Sequence, residues 1–119
     1  MIKELLKLHE GGELKPYRCT SNKLTIGVGR NIEDRGISED ESDYLLKNDI
    51  DLCRATLHDR IDNWIQLDEV RKAVLIDMMF NMGWPRLSQF KKFLGAVYIS
   101  DWETAAKEMQ DSKWWGQVK

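Results

Sequence analysis

Cysteine and proline are scarce, with two of each in 119 residues. A pair of thiols, Cys19 and Cys53, cannot build a disulfide framework and points to a protein made in a reducing compartment. With prolines only at positions 16 and 85, no proline-rich linker interrupts the chain. No run of ~18 apolar residues is present, so no stretch reads as a transmembrane helix. The N-terminus also lacks the basic stretch and apolar core of a secretory signal. We therefore expect neither an export route nor a membrane anchor. A dominant charge of one sign is missing too. The formal net charge is −2, which argues against a nucleic-acid partner, since that would favour a basic face.

Charge is nonetheless unevenly spread. Residues 37–70 carry ten acids against Lys47, Arg54 and Arg60, a local balance of −7 that leaves +5 for the rest. The five tryptophans, at positions 64, 84, 102, 114 and 115, put most of the large apolar surface in the second half, with core filling as their expected role. The length suits one compact unit better than two independent domains.

Periodicity places the elements. Ile2, Leu5, Leu6 and Leu8 form one apolar stripe with Lys3, Glu4 and Lys7 opposite, so Met1 to His9 reads as a helix. Gly11-Gly12 ends it and leaves Glu10 beside the partial negative charge of the helix C-terminus. Residues 14–20 and 23–29 read as two strands around Ser21-Asn22. A three-residue loop, Ser21-Asn22-Lys23, would pair Cys19 with Thr25 on one face; a two-residue loop would put them on opposite faces. Ser38 to Glu41 is a capping box that opens a helix to about Leu57. Asp68 to Met82 is apolar almost all round and reads as a central helix stopped by Gly83. Pro85 suits the first turn of a short helix through about Val97. Ser100 to Glu103 reads as a second capping box, for a helix through about Gln110, and Ser112 as the cap of one more turn. The fold class expected is α+β, mostly α.

The chemistry centres on Glu10, Cys19 and Thr25, a carboxylic acid at a helix end beside a hairpin bearing a thiol and a hydroxyl. A glutamate, eight residues, an aspartate or cysteine, five residues and a threonine form the active-site signature of the phage-type lysozymes, glycoside hydrolase family 24. The run Glu10-Gly11, Tyr17, Cys19-Thr20 and Thr25-Ile26-Gly27-Val28-Gly29 resembles it at every step. Gly36-Ile37-Ser38 with the acidic helix that follows, Met79 to Gly83, Asp101-Trp102 through Ala106, and Ser112-Lys113-Trp114 extend the likeness over essentially the whole chain.

The resemblance implies a two-lobed fold: an N-lobe over about 1–37, an inter-lobe helix over about 38–57 and a C-lobe over about 58–119, with a cleft between the lobes. It implies an endolysin muramidase that cuts the β-1,4 bond between N-acetylmuramic acid and N-acetylglucosamine with inversion, using neither metal nor cofactor. Glu10 resembles the general acid and Thr25 a residue that holds the attacking water. At the position of Cys19, relatives carry aspartate or cysteine. A thiol of pKa about 8.5 is mostly neutral at pH 7, so either a base such as Arg18 or Arg30 lowers that value, or the neutral thiol positions water, or Cys19 only packs. Arg30 and Asp49 match a structural ion pair, and Phe80 a cleft-floor aromatic. Asn31, Phe93 and Glu108 fall at other saccharide-contact positions with altered side chains. By the resemblance a closing C-terminal helix is expected to be lacking, and the charge is less basic than in many relatives. The competing reading is a truncated, non-catalytic peptidoglycan-binding relative. The expected partner is the glycan strand. The protein is expected to be a monomer that stays in the host cytoplasm until a holin opens the inner membrane.

Overall fold

The computed structural model describes residues 1–111 and divides into two compact units, with the boundary between Leu45 and Leu46. In the first unit, helix α1 (Ile2–Glu10) closes with the Gly11 amide on the Lys7 carbonyl at 3.0 Å, so Glu10 is its last helical residue. A three-stranded antiparallel sheet follows in the order β1 (Glu13–Arg18), β2 (Leu24–Gly27), β3 (Arg30–Asn31). The short helix α2 (Ile32–Arg35) comes next, and α3 (Glu39–Arg60) runs across the boundary.

The hairpin register differs from both expected loops. Tyr17 pairs with Thr25 and Arg18 with Leu24, which leaves a five-residue loop from Cys19 to Lys23. That loop is closed by the Asn22 amide on the Cys19 carbonyl at 2.8 Å, with Asn22 at φ 60°, and by the Cys19 amide on the Lys23 carbonyl at 3.0 Å. The pairing has moved by two residues from the three-residue loop, so the parity of the faces survives. Cys19 therefore lies diagonal to Thr25 rather than opposite it. Between the Glu13↔Gly27 and Tyr17↔Thr25 pairs, β1 uses two more residues than β2. Pro16 falls in that bulge, where its missing N–H costs the ladder nothing.

The Ser38 capping box forms as expected. Glu41 accepts the Ser38 amide at 2.8 Å and Ser38 Oγ accepts the Glu41 amide at 3.1 Å. In the second unit a 3-10 turn (Trp64–Gln66) precedes α4 (Glu69–Leu87), α5 (Lys91–Tyr98) and α6 (Trp102–Gln110). Its core gathers around the fully buried Met78 of α4 with Leu57, Ile61, Leu75 and Leu87. Trp64 is buried in this core, and Trp84 and Trp102 pack against it half-buried. Trp114, Trp115 and the cap expected at Ser112 lie outside the described residues.

Two boundaries differ from expectation. Gly83 (φ 74°) breaks the helix as expected and Pro85 lies in the first turn of the helical stretch after it, but that stretch ends at Leu87, and a break at residues 88–90 separates it from α5 instead of a helix running through Val97. Asp101, not Ser100, caps α6, with its carboxylate accepting the Thr104 amide at 3.2 Å. Ser100 stands outside the helix at φ 58°. Among the described residues no helix is long and apolar enough to cross a membrane.

Candidate active site

Glu10, Cys19 and Thr25 all belong to the first unit. Glu10 projects from the end of α1 as an exposed side chain, and its carboxylate lies over Gly29, in the turn between β2 and β3. A Cβ built on Gly29 would stand 3.4 Å from Glu10 Oε2. Gly29 is at φ 76°, a conformation that L side chains adopt only at a cost, so the turn needs glycine for its backbone.

Cys19 is half-buried at the start of the hairpin loop. Its thiol is held below the ordinary value of 9.0, foremost by the Lys23 backbone amide, then by the Thr25 hydroxyl and the Ser21 amide, with burial working weakly against them. The two arginines considered from the sequence are not the cause. Arg18 pairs with Glu33 at 2.8 Å, and Arg30 is taken by Glu41. Backbone and hydroxyl donors stabilise the thiolate here in the way an anion nest does.

Thr25 is 3% exposed, and its hydroxyl donates to the Lys23 carbonyl at 2.8 Å. One hydroxyl proton serves either that carbonyl or the Cys19 sulfur. Thr25 is thus placed to set Cys19, which is the more exposed residue of the pair.

The structure gives Arg30 a partner other than the expected Asp49. Both terminal nitrogens of Arg30 contact the Glu41 carboxylate, with Nη1 to Oε1 at 2.8 Å and Nη2 to Oε2 at 2.5 Å. Glu41 accepts at once from Arg30 and from the Ser38 amide, and together these pull its pKa from 4.5 to about 2. A carboxyl depressed in this way adds stability that is fully present above about 4.5, its ordinary value, and is lost as pH falls toward about 2. The Glu41 side chain is 41% exposed, so screening keeps the contribution small. Glu41→Gln should therefore lower the melting temperature slightly at pH 7, where the pair contributes in full, and converge on wild type as pH falls toward about 2, which flattens the acid limb. An unchanged acid limb in that variant would show that the pair contributes nothing.

Sequence reasoning did not single out Glu33. From α2 it accepts the Leu24 amide at 3.2 Å and holds Arg18, which fixes the strand ends that set the Cys19 loop. Lys23 and Asp34 extend this network at 3.4 Å. No spacing rule connects residues so placed, and only the backbone path of α2 brings them together.

The expected saccharide contacts fare differently. Asn31 spends both ends of its amide on Asp34, accepting its N–H at 3.0 Å and donating to its carboxylate at 3.1 Å, so it serves as the cap of α2. Phe80 is 48% exposed and lines a hollow of about 260 Å³ with Asp49, Leu52, Cys53, Thr56 and Met79. Phe93 is buried at 5% exposure, belongs to the core and also lines a hollow beside α6. Glu108 is half-buried and lines a second hollow beside Phe93.

The family model for phage lysozyme matches residues 7–118. The chain belongs to the phage lysozyme family. It is 28% identical to probable T4-type lysozyme 1 of Dictyostelium discoideum, covering 95% of this chain and 84% of that protein. An endolysin of Acyrthosiphon pisum secondary endosymbiont phage 1 is 27% identical over 92% of this chain and 74% of its own length. The pre-baseplate central spike protein Gp5 of Enterobacteria phage T4 is 28% identical, covering 98% of this chain and 25% of that protein.

Proposed function

We propose that the protein is a muramidase that hydrolyses the β-1,4 bond between N-acetylmuramic acid and N-acetylglucosamine in peptidoglycan, with inversion, and that it serves host lysis as an endolysin. The observation that carries this reading is the placement, in a phage lysozyme family chain, of an exposed helix-end acid over the Gly29 turn and of a half-buried thiol diagonal to the buried Thr25 on the hairpin.

In this mechanism Glu10 gives its proton to the leaving glycosidic oxygen while positive charge develops at the anomeric carbon. The Cys19 thiolate accepts a proton from water, whose oxygen bonds that carbon from the opposite face. Glu10 ends as the anion and Cys19 as the thiol, and exchange with solvent resets both. Thr25 is a positioning residue that acts through Cys19. The protein works as a monomer on glycan strands, stays in the cytoplasm until the inner membrane opens, and needs no nucleic acid.

Digestion of purified sacculi tests the reading. Products should end in reducing N-acetylmuramic acid and appear first as the α-anomer by NMR. Reducing N-acetylglucosamine ends or a β-anomer would refute the bond or the stereochemistry. Sacculus binding without any cleavage would favour the non-catalytic alternative.

Gly29→Ala should lower stability by about 1–2 kcal/mol, because alanine adopts the left-handed region at that cost. Any loss of cleavage should follow the backbone change, because the new methyl would meet the Glu10 carboxylate only at ordinary contact distance. Gly12→Ala is the control, as a Cβ there meets nothing within 4 Å. Equal melting and equal rates for the two variants would remove the role given to Gly29.

A further inference from the structure

The ladder between β2 and β3 stops at the Thr25–Asn31 pair, because the chain turns into α2 after Asn31. Leu24, the residue before Thr25, therefore meets no strand on that side. The Glu33 carboxylate takes the place of the missing strand, with Oε1 accepting the Leu24 amide at 3.2 Å. The same oxygen accepts Arg18 Nη1 at 2.8 Å, and that nitrogen also reaches the Asn22 carbonyl at 3.4 Å. Arg18 and Leu24 are the last paired residues of the hairpin, so one carboxylate oxygen ties together both ends of the loop that carries Cys19. Lys23 is drawn to the same helix, with Nζ at 3.4 Å from Asp34 and 3.7 Å from the second Glu33 oxygen.

Lys23 is the residue on which the surroundings of Cys19 depend. Its carbonyl accepts the Cys19 amide at 3.0 Å and the Thr25 hydroxyl at 2.8 Å, so one atom holds both the thiol residue and its hydroxyl neighbour. The ion pairs that gather this loop are exposed, with side-chain exposures of 58% for Arg18 and 39% for Glu33, and pairs of that kind add little to global stability. Their effect is local, on where Lys23 and Thr25 stand. Hydrogen bonds weaken steeply as distance and angle depart from the optimum, so a small displacement of these two residues changes what the sulfur meets.

We propose that Glu33 is a positioning residue for Cys19: by joining Arg18 to the Leu24 amide it holds Lys23 and Thr25 in place against the thiol. For the part of that thiol in cleavage the proposal rests on the muramidase reading, and for its reactivity it stands on the hairpin geometry alone. Glu33 acts on the thiolate in two opposed ways. Its negative charge disfavours a second anion nearby, whereas its grip on the loop keeps amide and hydroxyl donors aimed at the sulfur. The donors are in direct contact with the sulfur, while the Glu33 charge is met by Arg18 and Lys23 and screened by solvent. The grip therefore outweighs the charge, and loss of Glu33 weakens the thiolate.

The test is alkylation of the full chain by iodoacetamide as a function of pH, with the Cys19 and Cys53 peptides read separately by mass, beside digestion of sacculi. Glu33→Ala should raise the pH midpoint of Cys19 alkylation by about one pH unit, and at pH 7 lower both its alkylation and sacculus cleavage about tenfold. Glu33→Asp keeps the charge but draws the carboxylate back by one methylene, and it should raise the midpoint in the same direction. Glu33→Gln removes the charge but keeps an acceptor oxygen within reach of the Leu24 amide, and it should stay within about threefold of wild type. Melting curves verify that each variant folds, and the contrast between Asp and Gln carries the test should the alanine variant unfold. A midpoint that stays or falls in Glu33→Asp, or a Gln variant displaced as far as the Asp one, would overturn the proposal. Failure of the muramidase reading looks different: the wild type would leave sacculi uncut while the midpoint still rose in Glu33→Asp.

Discussion

Glu10→Gln should lose clearing of chloroform-treated Gram-negative cells by about 10²–10⁴-fold, the range for removal of a general acid. The substitution keeps the length and shape of the side chain and removes the proton it would transfer. Stability should stay within about 0.5 kcal/mol, because the side chain is exposed and makes no hydrogen bond or ion pair among the described residues. Loss of rate at constant melting temperature thus separates chemistry from folding. Glu10→Asp refines the point. It keeps a transferable proton but draws it back by one methylene, and misplacement by about 1 Å costs on the order of 10²-fold. The expected order is wild type, then Asp, then Gln. Clearing by Glu10→Gln within tenfold of wild type would mean that another group protonates the leaving oxygen.

How far the site could be read from the sequence depended on whether its determinants are local. The Ser38 box was legible because both of its bonds fall within four residues, and each formed. The end of α1 was legible because Gly11 must leave the helix there. The hairpin register was not, since it follows from Asn22 taking a left-handed conformation and from a bulge at Pro16, neither of which alternation of side chains reveals. Arg30 went to Glu41 because the capping box had already oriented that carboxylate at the start of α3. A residue that holds one local bond is easily overlooked as the partner in a distant one.

Phe93 teaches the opposite. Phe93, Leu94, Ala96 and Val97 sit at one-, three- and four-residue steps, an apolar stripe that announces burial. The likeness to relatives gives Phe93 a saccharide contact, while the pattern by itself announces the burial that is found. For Glu108 the two agreed in part: a half-buried acid on α6 beside a hollow is open to a ligand, although its charge asks for a cation rather than for a neutral sugar.

The Cys19 substitutions carry the second large effect. Cys19→Ala should reduce clearing by about 10²-fold, as loss of a general base does, whereas Cys19→Asp should retain activity because a carboxylate is ionised at neutral pH. The pH profiles fix the sign. In the wild type the active anion accumulates as pH rises through a thiol pKa held below 9.0 while Glu10 must keep its proton, so the rate combines a base limb that rises with pH and an acid limb that falls. In Cys19→Asp that limb moves to acid pH. Thr25→Val removes the hydroxyl donor from the thiolate while filling the same buried space, so its limb should move upward from that of wild type. Alkylation rates against pH supply a readout independent of catalysis. Cys53 is pushed the other way by burial and by Asp49, so the two thiols titrate in a defined order with Cys19 first. A structural thiol at position 19 would leave Cys19→Ala as fast as wild type and the profile of Cys19→Asp unmoved. A catalytic one must move both, and Thr25→Val then tells whether the hairpin loop or the bulk solvent sets its charge.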